Sequence, residues 1–249
     1  MRALITLLAL VSLPVPLPAL AANLNDTGIT FCGDETTNTA NCASVAADSG
    51  THPRQDARYG RDAQTLTKIG GGEAGFDFTA LNASGQPTTP GYGFTLHSCV
   101  RDNVTGLVWE VKTADGGLRD QKWQYTWYDS VHNYGGKPGT DSGTTRCKTS
   151  GRCDTEKYVA DVKATALCGF TDWRMPTVKE LHGIAHLGRF SYPSIDPTYF
   201  PNTPSEHFWS GSPYASYSSL AWFVYFGVGG VGYGYRSGVS QVRLVRGGQ

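Results

Sequence analysis

Sixteen residues constrain the fold more than any other part of the chain. From Trp222 to Ser237 the sequence reads WFVYFGVGGVGYGYRS, with no Asp, Glu, Lys, Asn or Gln. Two runs, AWFVYF and VGYGYR, flank Gly227, Val228, Gly229 and Gly230. That is the pattern of two antiparallel strands joined by a glycine-rich turn. In such a ribbon, directly opposed residue numbers have a constant sum, and an even sum pairs odd with odd. One face is then expected to carry Phe223, Tyr225, Val231, Tyr233 and Tyr235. The other carries Trp222, Val224 and Phe226 opposite Gly230, Gly232 and Gly234. Large apolar side chains opposite glycines suit a core face that another element approaches closely. Tyrosine rings supply apolar area, but their hydroxyls need water or a partner, and burying one unpartnered costs about 1 to 3 kcal/mol. The tyrosine face is therefore expected to point outward. Tyr214, Tyr217 and Leu220 in SPYASYSSL extend it, and Arg236 and Ser237 end it. Tyrosine with serine and glycine is the chemistry of antibody-like contact surfaces.

The chain around this ribbon reads as a loop-rich α+β protein, because 31 Gly and 13 Pro call for many turns and short strands. A formal net charge of zero leaves no basic footprint for nucleic acid. Residues 1–21, MRALITLLALVSLPVPLPALA, have the form of a secretory signal: one Arg, an apolar run and a small-residue cleavage site. Pro14, Pro16 and Pro18 interrupt the roughly 20 apolar residues that a membrane span needs, so no span is expected in the mature chain. Export, to the periplasm, cell surface or medium, turns six cysteines into a disulfide framework. Loop lengths suggest Cys32 with Cys42 and Cys147 with Cys153, which leaves Cys99 with Cys168. No C-x2-C pair is present to hold zinc, and neither a metal nor another cofactor is expected.

Residues 22–96 read as a polar N-terminal extension with a flexible joint at IGGGEAG (69–75), a structural turn at RYGRDA and one strand in AGFDFTAL. A ligand-binding domain follows over 97–249. In it, TGLVWEVKT alternates Leu107, Trp109 and Val111 with Val108 and Glu110, as a strand does. In CDTEKYVADVKATALCGF, Val159, Val162 and Ala166 fall at helical spacing, with Gly169 where a helix C-cap belongs. Thr177 and Glu180 form a Thr-x-x-Glu capping box before Val178, Leu181, Ile184 and Ala185. His182 and His186 lie four apart. Gly183 replaces the general base of an H-E-x-x-H site and no third ligand is apparent, so both read as exposed helix histidines.

DNVTGLVWEVKT, LCGFTDWRMPTVKEL, FWSGSPYA and VRLVRGG, in that order over 99–249, together resemble the C-terminal domain family of the Legionella collagen-like adhesin. The resemblance implies a C-type-lectin-like fold: two helices flanking twisted antiparallel sheets, with LVWEV paired to QVRLV. It makes Trp109, Trp173, Arg174 and Pro176 scaffold residues. Some relatives of that fold are targets of diversity-generating retroelements. The composition of 211–240 fits both a diversified region and an ordinary binding surface.

The leading expectation is a secreted or surface binding protein, adhesin-like or a diversified receptor. It would recognise an extracellular glycan or protein, with Arg236 favouring anionic ligands. One alternative is an envelope structural protein that uses the aromatic face to form homo-oligomers. Another is an enzyme like the formylglycine-generating oxidases, whose helix-start motif resembles DWRMPTVKEL. Those enzymes need a late cysteine pair, and no cysteine follows Cys168. No acid/base pair stands out either, so catalysis is not expected.

Overall fold

The computed structural model describes residues 24–247, apart from 35, 40–41, 43–53, 64, 92, 94–95 and 133–137. The expected leader, residues 1–21, lies outside the described residues. The architecture is α+β, with short helices and mostly sheet. A two-stranded ribbon of β1 (Cys32–Gly33) and β2 (Asn38–Thr39) precedes α1 (Asp56–Tyr59). The RYGRDA turn falls on the end of α1 and a short 3-10 turn, Arg61–Ala63.

Two sheets follow. The first is antiparallel, in the order β11 (Val245–Arg246), β5 (Val108–Glu110), β4 (Cys99–Asp102), β3 (Phe78–Leu81). Val245 opposes Trp109, so the end of QVRLV meets LVWEV as expected, whereas Gln241 and Val242 belong to the second sheet. The strand in AGFDFTAL is β3, and it pairs along its whole length with β4. The boundary drawn at 96/97 therefore falls within one sheet. The IGGGEAG segment is not a loose joint: the Asp77 carboxylate accepts from the Ile69 and Gly70 N–H groups at 2.9 and 2.8 Å, and Gly71 bridges Phe78.

The second sheet runs β6 (Tyr125–Thr126), β10 (Val239–Val242), β7 (His207–Pro213), β8 (Leu220–Tyr225), β9 (Gly230–Tyr235). Only β10 and β7 are parallel; the other pairs are antiparallel. Phe76, Phe78, Trp109, Phe200, Phe208, Val224 and Phe226 share one core with Leu181 and Ile184. Each such side chain contributes about 1.5 to 3 kcal/mol on burial. A second core gathers Tyr158, Val162, Trp173 and Leu244 around the Cys99–Cys168 bridge. Cys32–Cys42 and Cys147–Cys153 complete the expected pairing.

The helices start where the sequence indicates and stop earlier. Asp154 caps α2 (Thr155–Ala164) by accepting from Lys157 N. Thr165, not Gly169, ends it; Ala166 then turns left-handed at φ 48° and a 3-10 turn carries Cys168 to its disulfide. The capping box forms at α3 (Val178–His182): Glu180 N donates to Thr177 Oγ1 at 3.2 Å, and Thr177 N donates to Glu180 at 2.7 Å. His186 lies beyond the end of α3. It is buried and packs on Phe76, with Nε2 3.1 Å from Glu73, so it is not an exposed helix histidine.

β5 differs from a strand with one wet face. Leu107 through Lys112 are all buried, because one core lies on each side of the sheet. Glu110 and Lys112 therefore sit inside. Glu110 bonds Tyr158 OH and accepts from Lys112 Nζ at 3.1 Å and from Leu244 N at 2.9 Å. Burial pushes the Lys112 ammonium down, and the Glu110 carboxylate opposes that shift.

Candidate functional site: an aromatic platform on the outer hairpin

The hairpin forms, but its register is one residue from the expected one. Leu220 opposes Tyr235, Trp222 opposes Tyr233 and Tyr225 opposes Gly230, so odd numbers meet even. The cause is the turn. Phe226 keeps its bond to β7 through Glu206 O at 3.1 Å and buries its ring fully, so it leaves the hairpin ladder. The loop becomes 226–229, closed by Gly229 N donating to Tyr225 O at 2.8 Å, with Gly229 at φ +74°. A left-handed position there suits glycine.

This register sorts the side chains differently. Leu220, Trp222 and Val224 share a face with Val231, Tyr233 and Tyr235. Toward Val224 that face is core; toward Trp222 it opens. Phe223 and Tyr225 lie half-buried on the opposite face, across from Gly230, Gly232 and Gly234. His207 packs against both rings, at 4.4 and 4.7 Å. A Cβ on Gly232 would come within 2.8 Å of the Phe223 ring, so glycine there leaves room for that ring to lie against β9.

The open half of the first face is an aromatic cluster. Tyr214 lies 4.4 Å from Tyr233, 5.0 Å from Trp222 and 6.2 Å from Tyr217, centroid to centroid. Trp222 meets Tyr233 edge-on at 5.7 Å. The turn that carries the first two tyrosines is fixed by Tyr214 N donating to Leu220 O and Leu220 N donating to Tyr217 O. Tyr217, Tyr233 and Tyr235 are 64%, 52% and 69% exposed, and Val231 borders them. Contacts between such rings are worth about 0.5 to 1.5 kcal/mol beyond area burial, so the cluster holds its shape without a ligand.

Six of the ten expected residues thus come together: Tyr214, Tyr217, Leu220, Val231, Tyr233 and Tyr235. Phe223 and Tyr225 belong to the other face, and Ser237 is exposed in the turn after β9. Arg236 is corrected most sharply. Its guanidinium lies 4.2 Å from the Trp127 ring centroid, its Nε donates to Leu220 O at 3.1 Å, and it is 2% exposed. Burial lowers its pKa, with Asp129 opposing. The expected anionic preference therefore loses its cation. Trp222 was missed; placing the turn one residue earlier would have found it. The remaining basic residues of the segment are also engaged: Arg243 is fully buried over Phe200, and Arg246 pairs with Asp172 at 2.9 Å.

The larger concavities among the described residues lie elsewhere. A cleft of about 570 Å³ between α2 and the start of α3 has Trp127, Trp173, Met175 and Pro213 in its lining. Two of its carboxylates are engaged: Glu180 pairs with Arg174 at 2.7 Å, and Glu156 accepts from Ser130 N at 2.6 Å. A shallower one of about 520 Å³ lies beside Glu73, His186 and Arg189. Burial lowers the His186 pKa despite the Glu73 carboxylate. Among the described residues no group of three or more His, Cys, Asp or Glu is arranged to hold a metal, and no helix is long and apolar enough to cross a membrane.

A family model described as the Lcl C-terminal domain matches residues 98–246. No curated protein and no solved structure matches the chain.

Proposed function

The chain belongs to the Lcl C-terminal domain family, and from that premise we propose that it is an exported, adhesin-like binding protein that recognises a glycan or protein through the aromatic platform. The observation that carries this reading is the cluster of Tyr214, Tyr217, Trp222 and Tyr233, with two of its rings more than half exposed beside an equally open Tyr235. Rings stack on the apolar faces of sugars or on partner side chains, and their hydroxyls supply hydrogen bonds at the edges. Three disulfides and a leader-like N-terminus support an oxidising destination. The lectin-like architecture is part of the same proposal. It is supported by the pairing of the terminal strand with β5 and by α2 and α3 packing into the two cores.

Binding rather than catalysis is proposed because the platform presents rings and hydroxyls with no carboxylate, histidine or thiol among them. Recognition is expected to be insensitive to salt, since no solvent-facing charge lies on the platform. Glycan and protein arrays probed with the mature chain test the reading. Tyr217→Ala and Tyr233→Ala are each expected to weaken the selected ligand by about tenfold, which corresponds to roughly 1.4 kcal/mol. Unchanged binding by both variants would sink it.

A further inference from the structure

β9 is the outer strand of its sheet, and among the described residues nothing pairs with its far side. Its six pairs with β8 run without a register shift, and the strand contains no charge and no proline. Those are the devices by which edge strands usually discourage pairing. The direction of the free backbone groups follows from one bond. Arg236 N donates to Ser219 O at 2.8 Å, which makes Ser219 and Arg236 a hydrogen-bonded pair in the same register. Bonded and non-bonded pairs alternate along an antiparallel ladder. Gly230, Gly232 and Gly234 therefore bond inward to β8, while the N–H and C=O groups of Val231, Tyr233 and Tyr235 point to the open edge. The Tyr235 carbonyl already accepts from Gly238 N at 2.8 Å, and a carbonyl has a second lone pair.

We propose that this edge pairs with the β9 edge of a second copy of the chain, antiparallel about a two-fold axis at Tyr233. The arrangement is self-complementary: Tyr233 faces Tyr233 of the partner subunit, and Val231 faces Tyr235 of the partner subunit. Each facing pair exchanges two bonds, giving about six across the axis. Because β9 has no charge, two copies approach without like-charge repulsion. The axis keeps odd residues on one side, so the two aromatic platforms merge into one continuous ring-lined surface. A contact confined to one strand lies below the roughly 1,200 Å² of stable interfaces, so the dimer forms and dissociates with concentration. The contact uses the strand's edge rather than its ring face and stands apart from the ligand reading.

Sedimentation velocity of the mature chain over a concentration series is expected to show a reversible monomer–dimer equilibrium. Val231→Pro removes an outward N–H while leaving the β8 ladder intact, since proline is tolerated at such edge positions; it is expected to raise the dimer Kd at least tenfold at unchanged thermal stability. Because Tyr233 meets itself, Tyr233→Lys and Tyr233→Glu are each expected to be monomeric alone and to form a heterodimer when mixed. A wild-type chain that stays monomeric, a trimer, a Val231→Pro dimer of wild-type strength, or a Lys/Glu mixture that does not associate would each overturn the proposal. Array binding by the wild-type chain held at concentrations where it is monomeric separates its failure from that of the platform.

Discussion

β5 and β9 are both short strands of alternating pattern, yet they invert the usual placement of charge. β5 and its continuation hold Glu110 and Lys112 at 0% exposure, whereas β9 leaves Tyr233 and Tyr235 more than half exposed and carries no charge. The difference lies in what stands opposite. Glu110 finds Lys112, Tyr158 and the Leu244 N–H within hydrogen-bond reach, so burial is tolerated. β9 has β8 on one side and, among the described residues, no strand on the other. A globular surface normally collects charged residues; an uncharged, ring-bearing strand there is the feature on which the proposed contact role rests.

On the proposed reading the first sheet is a structural unit and the outer hairpin a binding surface, a contrast open to direct attack. Replacing both Cys99 and Cys168 by Ala should have the largest effect, about 4 kcal/mol of stability, since the bridge closes a loop of 69 residues; urea unfolding measures it. Lys112→Met strands the Glu110 carboxylate inside and should cost about 3 kcal/mol, read in the same assay. If the loss were negligible, the buried pair would not be what β5 depends on.

Acid should act next. His97 is buried, its Nε2 lies 2.8 Å from Tyr199 O, and Gly91 N donates to its Nδ1 at 3.3 Å, so the folded state holds the neutral ring. Burial lowers its pKa, against the opposing backbone bonds. The folded value lies below the unfolded one of about 6.5. Its contribution is therefore complete above that pH and is lost as pH falls toward the folded value. Tm should drop by about 2 to 4 °C for each ~1 kcal/mol lost, and His97→Gln should flatten that limb in a pH series of melting curves. The smallest stability effect belongs to the platform. Tyr217→Ala, which loses one ring contact, should shift unfolding by about 0.5 kcal/mol, and Tyr233→Ala, which loses two, by about 1 kcal/mol. A loss of several kcal/mol would mean that the rings serve the core.

Features governed by neighbours in the chain were legible in the sequence. Thr177 and Glu180 announced the start of α3, the short cysteine loops identified their bridges, and the glycine-flanked runs announced a hairpin. The register was not legible, because it depends on Phe226 being drawn into a core built by Phe208 and Phe76, far away in sequence. Arg236 was misplaced for a similar reason: only the fold brings the Trp127 ring beneath it. The alternation placed Glu110 opposite Trp109 but could not show that α2 would cover that face and supply Tyr158. His186 lay beyond a helix that stops at His182, and nothing local signals the pocket formed by Phe76 and Glu73.

The pairing of β3 with β4 has a practical consequence for anyone trimming the chain. A fragment begun at residue 98, where the family match starts, would lack Phe76, Phe78 and the whole strand that covers Cys99–Asp102. It would expose a greasy trough and an unsaturated ladder to solvent, inviting aggregation in the expression host. Truncations intended for binding work should begin upstream of Ile69, so that Asp77 keeps the loop it ties down.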